Sequence, residues 1–127
     1  MYVARADFYG AEITRPLADV GALDGTSAVF ECGVRLGQGS VAWYHQDTLL
    51  PHSDEFQQLF DGTTARLVIT EVFPDDAGTY RCVVRSRDSE ADTTAKLTIK
   101  RKMSTLLMYM YLKYTTAKLP ITRKKRN

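Results

Sequence analysis

The 127-residue chain is poor in the residues that make sites. It has two cysteines, Cys32 and Cys82, and two histidines, His45 and His52. A zinc site needs three or four ligands at close range. No Cys-x-x-Cys or His-x-x-x-His spacing occurs, so no metal is expected. His45, near the end of a strand-like run, reads as a surface residue. There is no Gly-x-Ser-x-Gly elbow and no glycine loop of the phosphate-cradling kind. The carboxylate pairs Asp54-Glu55 and Asp75-Asp76 fall at bends, where turn formation and solvation account for them. The chain reads as non-catalytic and without a cofactor.

A long hydrophobic run is also missing. The longest nearly apolar stretch, residues 103–112, contains Ser104 and Thr105. It is too short for a bilayer, which takes about 20 residues to cross. The opening Met1-Tyr2-Val3-Ala4-Arg5-Ala6-Asp7 lacks a basic leader followed by an apolar run, so it does not read as a secretory signal. The expectation is a cytosolic protein, or a piece of something longer.

Acid is absent from the end of the chain. Residues 1–99 hold 8 Lys+Arg and 15 Asp+Glu, a net of −7, while residues 100–127 hold 9 Lys+Arg and no acid, a net of +9. The formal total of +2 hides this reversal, which marks a boundary near Lys100.

What is present is ordinary for a folded domain: 44% hydrophobic and 25% charged residues, in a chain long enough for one core. Ala28, Phe30, Cys32 and Val34 alternate with Val29, Glu31 and Arg35, the period of a half-buried strand. Residues 11–15 form a first strand stopped at Pro16, and residues 17–23 continue after the break. Residues 40–45 put Val41 and Trp43 inward. Leu49 and Leu50 form a short edge piece. Residues 56–60 form a strand in which Gln58 stands where alternation asks for an apolar residue. Asp61-Gly62 is a hairpin turn. Leu67 and Ile69, then Tyr80, Cys82 and Val84, then Ala95, Leu97 and Ile99 face inward. Seven or eight short strands and no helix before Lys100 predict two packed antiparallel sheets.

The most informative stretch is Asp76-Ala77-Gly78-Thr79-Tyr80-Arg81-Cys82. Asp76 and Gly78 suit a bend between strands. Tyr80 and Cys82, two apart, share a face, and a buried Tyr hydroxyl needs a backbone partner upstream. Trp43 stands eleven residues after Cys32. Cys, Trp and Asp-x-Gly-x-Tyr-x-Cys in that order resemble the immunoglobulin fold, with Tyr80 as its tyrosine corner. Ala65-Arg66-Leu67-Val68-Ile69 and Phe73-Pro74-Asp75-Asp76-Ala77-Gly78-Thr79-Tyr80 resemble the intermediate-set (I-set) domains of titin-like and other giant muscle proteins.

The resemblance implies an all-β, two-sheet Greek-key sandwich over residues 11–100, after a lead-in at 1–10 and before a basic tail at 101–127. The tail is expected to be unstructured or weakly helical. The implied structural core is Cys32, Trp43, Leu67, Asp76, Gly78, Tyr80 and Cys82, with Trp43 against the Cys32–Cys82 contact. A Cys32–Cys82 disulfide is open at this stage, because the fold buries the pair oxidised or reduced. If formed, it closes a loop of about 50 residues, worth roughly 4 kcal/mol. Relatives tend to carry Gly where Asp47 stands.

The implied function is a protein-interaction and spacing module of a cytoskeletal or sarcomeric scaffold. Alternatives are an extracellular adhesion or receptor domain, or an accessory domain of a muscle-type protein kinase. Expected partners are other proteins or neighbouring immunoglobulin domains, not nucleic acid, and a membrane is not expected. Arg81, Val83 and Arg85 form a candidate partner-contact stripe, weighed against a solvated strand face paired with Asp88 or Glu90. The terminal Arg123-Lys124-Lys125-Arg126 reads as a solvated tail rather than a localisation signal.

Overall fold

Pro16 decides how the chain enters the fold. In the computed structural model, which describes residues 9–101 and 105–113, strand β1 (Ala11–Arg15) ends immediately before it. Proline has no amide hydrogen to continue a ladder. The chain crosses to the other sheet and resumes as β2 (Val20–Leu23), which runs parallel to the last strand, β9 (Glu90–Lys100). β1 itself pairs antiparallel with β3 (Ala28–Leu36), and its register shifts between Ile13 and Arg15, leaving Thr14 as the bulge. Gly33 faces this bulge. A Cβ there would lie 2.5 Å from Thr14 Oγ1, so a side chain at 33 would force the bulge apart.

The remaining strands are β4 (Gly39–His45), β5 (Thr48–Leu49), β6 (Phe56–Phe60), β7 (Thr64–Ile69) and β8 (Gly78–Ser86). The sheets run β1-β3-β7-β6 and β2-β9-β8-β4-β5. Among the described residues there are nine strands rather than seven or eight, because the two pieces flanking Pro16 and the two-residue β5 each form a ladder of their own. The architecture is an all-β sandwich of four and five strands.

Two local features that alternation does not explain have clear causes. Gln58 sits in β6 because its side-chain amide donates to the carbonyls of Leu50 (3.2 Å) and Pro51 (3.3 Å), so the half-buried polar group is satisfied. Gln46 and Asp47 have φ of 52° and 72°. Two successive left-handed residues make the tight turn that suits a two-residue hairpin, here joining β4 to β5.

The core lies between the sheets. Phe30, Cys32, Leu67 and Ile69 come from one side, and Trp43, Tyr80, Cys82, Val84 and Leu97 from the other, all buried. Val72 lies in the crossing between β7 and β8 and is fully buried. The lead-in touches the sandwich at its end: Gly37 N–H donates to the Gly10 carbonyl, and the Arg87 guanidinium lies 5.7 Å from the Tyr9 ring centre. Past the sandwich, α1 (Thr105–Lys113) is the described part of the tail. The tetrabasic run 123–126 and residues 1–8 lie outside the described residues.

Asp61 holds the β6–β7 turn. Its Oδ1 accepts from the amides of Thr63 (2.9 Å) and Thr64 (2.8 Å), and Gly62 adopts φ of 102°. These amide bonds hold the Asp61 carboxyl below its ordinary value. A depressed folded-state pKa contributes stability above the unfolded-state value that is lost as pH falls through the folded one. Asp61→Asn is therefore expected to be less stable than the parent at neutral pH, with the difference shrinking as pH drops through the carboxylate range. Urea midpoints from pH 7 down to acid check this. Separately, a chain ending at Lys102 is expected to keep its unfolding free energy within about 0.5 kcal/mol, because every strand is already complete. Denaturant titrations at low and physiological salt test it.

Candidate interaction surface and the corner that supports it

The chain crosses from β7 to β8 through a short 3-10 turn, Pro74–Asp76. Pro74 suits its first position, since φ is preset and no amide is lost. Asp76 is 3% exposed, and its Oδ2 accepts from Phe73 N–H at 2.7 Å. Its carbonyl accepts from the Tyr80 hydroxyl at 2.6 Å. Gly78 adopts φ of 126°, where an L side chain is strained, and a Cβ there would also meet the Gln46 side chain at 2.9–3.1 Å. Gln46 Oε1 accepts from Thr79 N–H at 3.0 Å, clasping the start of β8.

His45 belongs to this corner and is not the simple surface residue expected from its place near a strand end. It pairs with Tyr80 across β4 and β8, stacks on the Tyr80 ring at 4.4 Å and 11°, and its Nε2 bonds the Ala77 carbonyl at 2.9 Å. Phe30 covers Tyr80 from the opposite sheet, 5.0 Å between ring centres. Alternation marks which face a residue uses. It does not reveal the β4–β8 register that brings His45 opposite Tyr80.

Trp43 pairs with Cys82 across the same two strands. Cys32 and Cys82 are free thiols, both fully buried and in contact with each other. That contact, together with burial, pushes the Cys82 thiol well above its ordinary value. A protonated, inaccessible thiol is a poor nucleophile. Leu67 is fully buried in β7. The corner and the core thus bring together Asp76, Gly78 and Tyr80 in one unit and Cys32, Trp43 and Cys82 in another.

The stripe Arg81, Val83 and Arg85 turns out differently from an open contact patch. Arg81 pairs with Asp92 and Arg85 with Glu90, each at 2.9 Å. The Arg81 guanidinium also lies 5.5 Å from the centre of the Tyr44 ring. Glu90, then Tyr44, hold Arg85 protonated above its ordinary value. Val83 is 1% exposed, so it offers no apolar contact. Its neighbours on that face are Ala42 and Asp92 in register and the two arginines two residues away. The face is a charge-balanced ladder, and of the two partners weighed for it Glu90 is the one found.

Exposed apolar side chains on the other sheet gather around an ion pair. Val29 is 42% and Leu59 53% exposed on its outer face. Val29 pairs with Val68, and Leu59 with Arg66, which is ion-paired to Glu31. An apolar rim around a charged pair on an open sheet is a surface of the protein-binding kind. Alternation placed Val29 outward, but only the β6–β7–β3 register shows that Leu59 and Val68 join it. Among the described residues, no group of three or more His, Cys, Asp or Glu could hold a metal.

This arrangement, a four-plus-five-strand sandwich with a tyrosine corner and a Trp against a buried Cys pair, is that of an immunoglobulin domain. The immunoglobulin I-set domain profile matches residues 11–99, and the chain belongs to that family. It is 33% identical over 88 residues to titin of Drosophila melanogaster, a match covering 68% of this chain and, to the nearest percent, 0% of that protein. It is 30% identical over 112 residues to human palladin, covering 77% of this chain and 8% of palladin. The chain thus spans only a small part of the curated relatives it matches. Among solved structures it resembles a chain of the titin M10–obscurin-like 1 immunoglobulin complex, with TM-score 0.69 and 28% identity over 74% of this chain and 97% of that one.

Tyr80→Phe removes one buried hydroxyl bond and is expected to cost about 1 kcal/mol. Asp76→Ala removes the carboxylate that accepts the buried Phe73 amide and is expected to cost more, on the order of 1–3 kcal/mol. Guanidinium unfolding with constant slope measures both. A Tyr80→Phe variant as stable as the parent contradicts the assigned bond.

Proposed function

We propose that the chain is a non-enzymatic protein-interaction and spacing module of a titin-like cytoskeletal or sarcomeric scaffold. The observation that carries this reading is the similarity to titin and palladin over the whole sandwich. The physical features are consistent with it. The outer sheet face carrying Val29, Val68 and Leu59 can dock a partner, and the strands at the sheet edges can extend a ladder. A solved relative is in complex with another immunoglobulin domain, and this chain's expected partners are of the same kind: other proteins, or neighbouring immunoglobulin domains. As a spacer, the domain would transmit load through its paired strands.

The proposal is tested in tissue with an antibody raised against the sandwich. Periodic or filament-associated staining that appears only after permeabilisation is expected. Staining of intact, unpermeabilised cells would transfer the domain to the adhesion or receptor alternative. A second check uses the cysteines. In a reducing cytosol Cys32 and Cys82 are expected to be thiols in fresh lysate, trapped with a mass label after unfolding. A fully bridged pair would point to the extracellular alternative instead.

A further inference from the structure

Helix α1 exposes apolar side chains around most of its girth. Leu106 is 67% exposed, Leu107 42%, Tyr109 57%, Met110 46% and Leu112 61%. At 3.6 residues per turn these five spread over more than half of the circumference. A nine-residue helix is marginal in water on its own, and one this apolar requires an apolar phase. Among the described residues no helix is long and apolar enough to cross a membrane, so that phase is met from one side.

Charge selects the host. Residues 100–127 carry nine Lys and Arg and no acid. Lys100 and Arg101 precede the helix, and Lys113 closes it. Lys113 Nζ lies 3.3 Å from the Tyr109 hydroxyl and 5.6 Å from the ring centre. A tyrosine with an ammonium at its tip is an interfacial anchor, ring in the apolar layer and charge at the headgroups. Part of the acid of the chain's own sandwich is already engaged. Glu12, Glu31, Glu90 and Asp92 are paired with arginines, and Asp19, Asp61 and Asp76 accept backbone amides.

We infer that α1, with Lys100 and Arg101 ahead of it, is an anchor for anionic bilayer surfaces. Leu106, Tyr109, Met110 and Leu112 enter the interfacial layer, and Lys100, Arg101 and Lys113 face anionic headgroups. This departs from the expectation that a membrane is not a partner. The helix turns a nearly apolar run too short for a bilayer into an exposed apolar surface bracketed by cations. The inference does not depend on the scaffold reading.

The test is co-sedimentation of the full chain with vesicles of phosphatidylcholine alone and of phosphatidylcholine with phosphatidylserine. Binding is expected to the phosphatidylserine vesicles, to weaken as salt is raised, and to fall about tenfold or more in Leu106→Asp/Met110→Asp. Tyr109→Ser/Leu112→Ser serves as the second variant and is expected to fall likewise. Emission of Trp43, the single, core-buried tryptophan, is expected to be unchanged and so reports an intact sandwich. Failure to bind phosphatidylserine vesicles overturns the inference. So does equal binding to both lipids, binding by the folded variants that matches the parent, or self-association through α1 in place of vesicle binding.

Discussion

The bond between the Tyr80 hydroxyl and the Asp76 carbonyl closes the crossing from β7 to β8, where no ladder serves the backbone. A chain passing from one sheet to the other exposes backbone groups that no neighbouring strand serves, and buried groups of that kind are costly. Here four amides of the crossing have partners. Val72 donates to Thr26, Phe73 to the Asp76 carboxylate, Asp76 to Phe73 and Ala77 to Pro74. The Ala77 carbonyl is taken by His45 and that of Asp76 by Tyr80. The corner thus satisfies these polar groups of the crossing, and its members must sit where they do for those bonds to form.

Much of the core follows from that closure. Anchoring Tyr80 fixes the entry of β8 and hence its register against β4, which sets Trp43 beside Cys82. It also sets Arg81 and Arg85 opposite Thr94 and Glu90 on β9. Because strand side chains alternate with period two, a slip of one residue would carry Tyr80 and Cys82 to solvent and bring the arginines into the core. The corner therefore specifies the fold as well as stabilising it, and the thiol pair needs no bond to be held in contact.

Local pattern made some of this legible in the sequence and hid the rest. The inward set from Phe30 to Leu97 follows from alternation, and Asp76, Gly78 and Tyr80 announce themselves because each has a distinct chemical reason for its place. Val83 was misread as accessible because alternation gives a face, not a cover. His45 was read as surface for a related reason, since only the pairing of β4 with β8 shows what it stacks on. The patch of Val29, Val68 and Leu59 draws on three strands that are distant in sequence, so no window of residues contains it. Gln58 looked wrong for a strand because its partners are carbonyls of the preceding loop.

The outer surfaces then divide by charge state. One sheet face is neutralised in pairs, the other combines apolar area with two ion pairs, Arg66–Glu31 and Arg35–Glu12, and the segment beyond Lys100 concentrates positive charge around an exposed apolar helix. All three rest on a sandwich whose order depends on the corner. The most direct measurement of that dependence is native-state amide exchange at Phe73, whose N–H donates to the buried Asp76 carboxylate. If the corner closes the fold, this amide exchanges with the free energy of global unfolding, as core strand amides do. Exchange at the much lower free energy of the exposed turn at residues 61–64 would contradict the account.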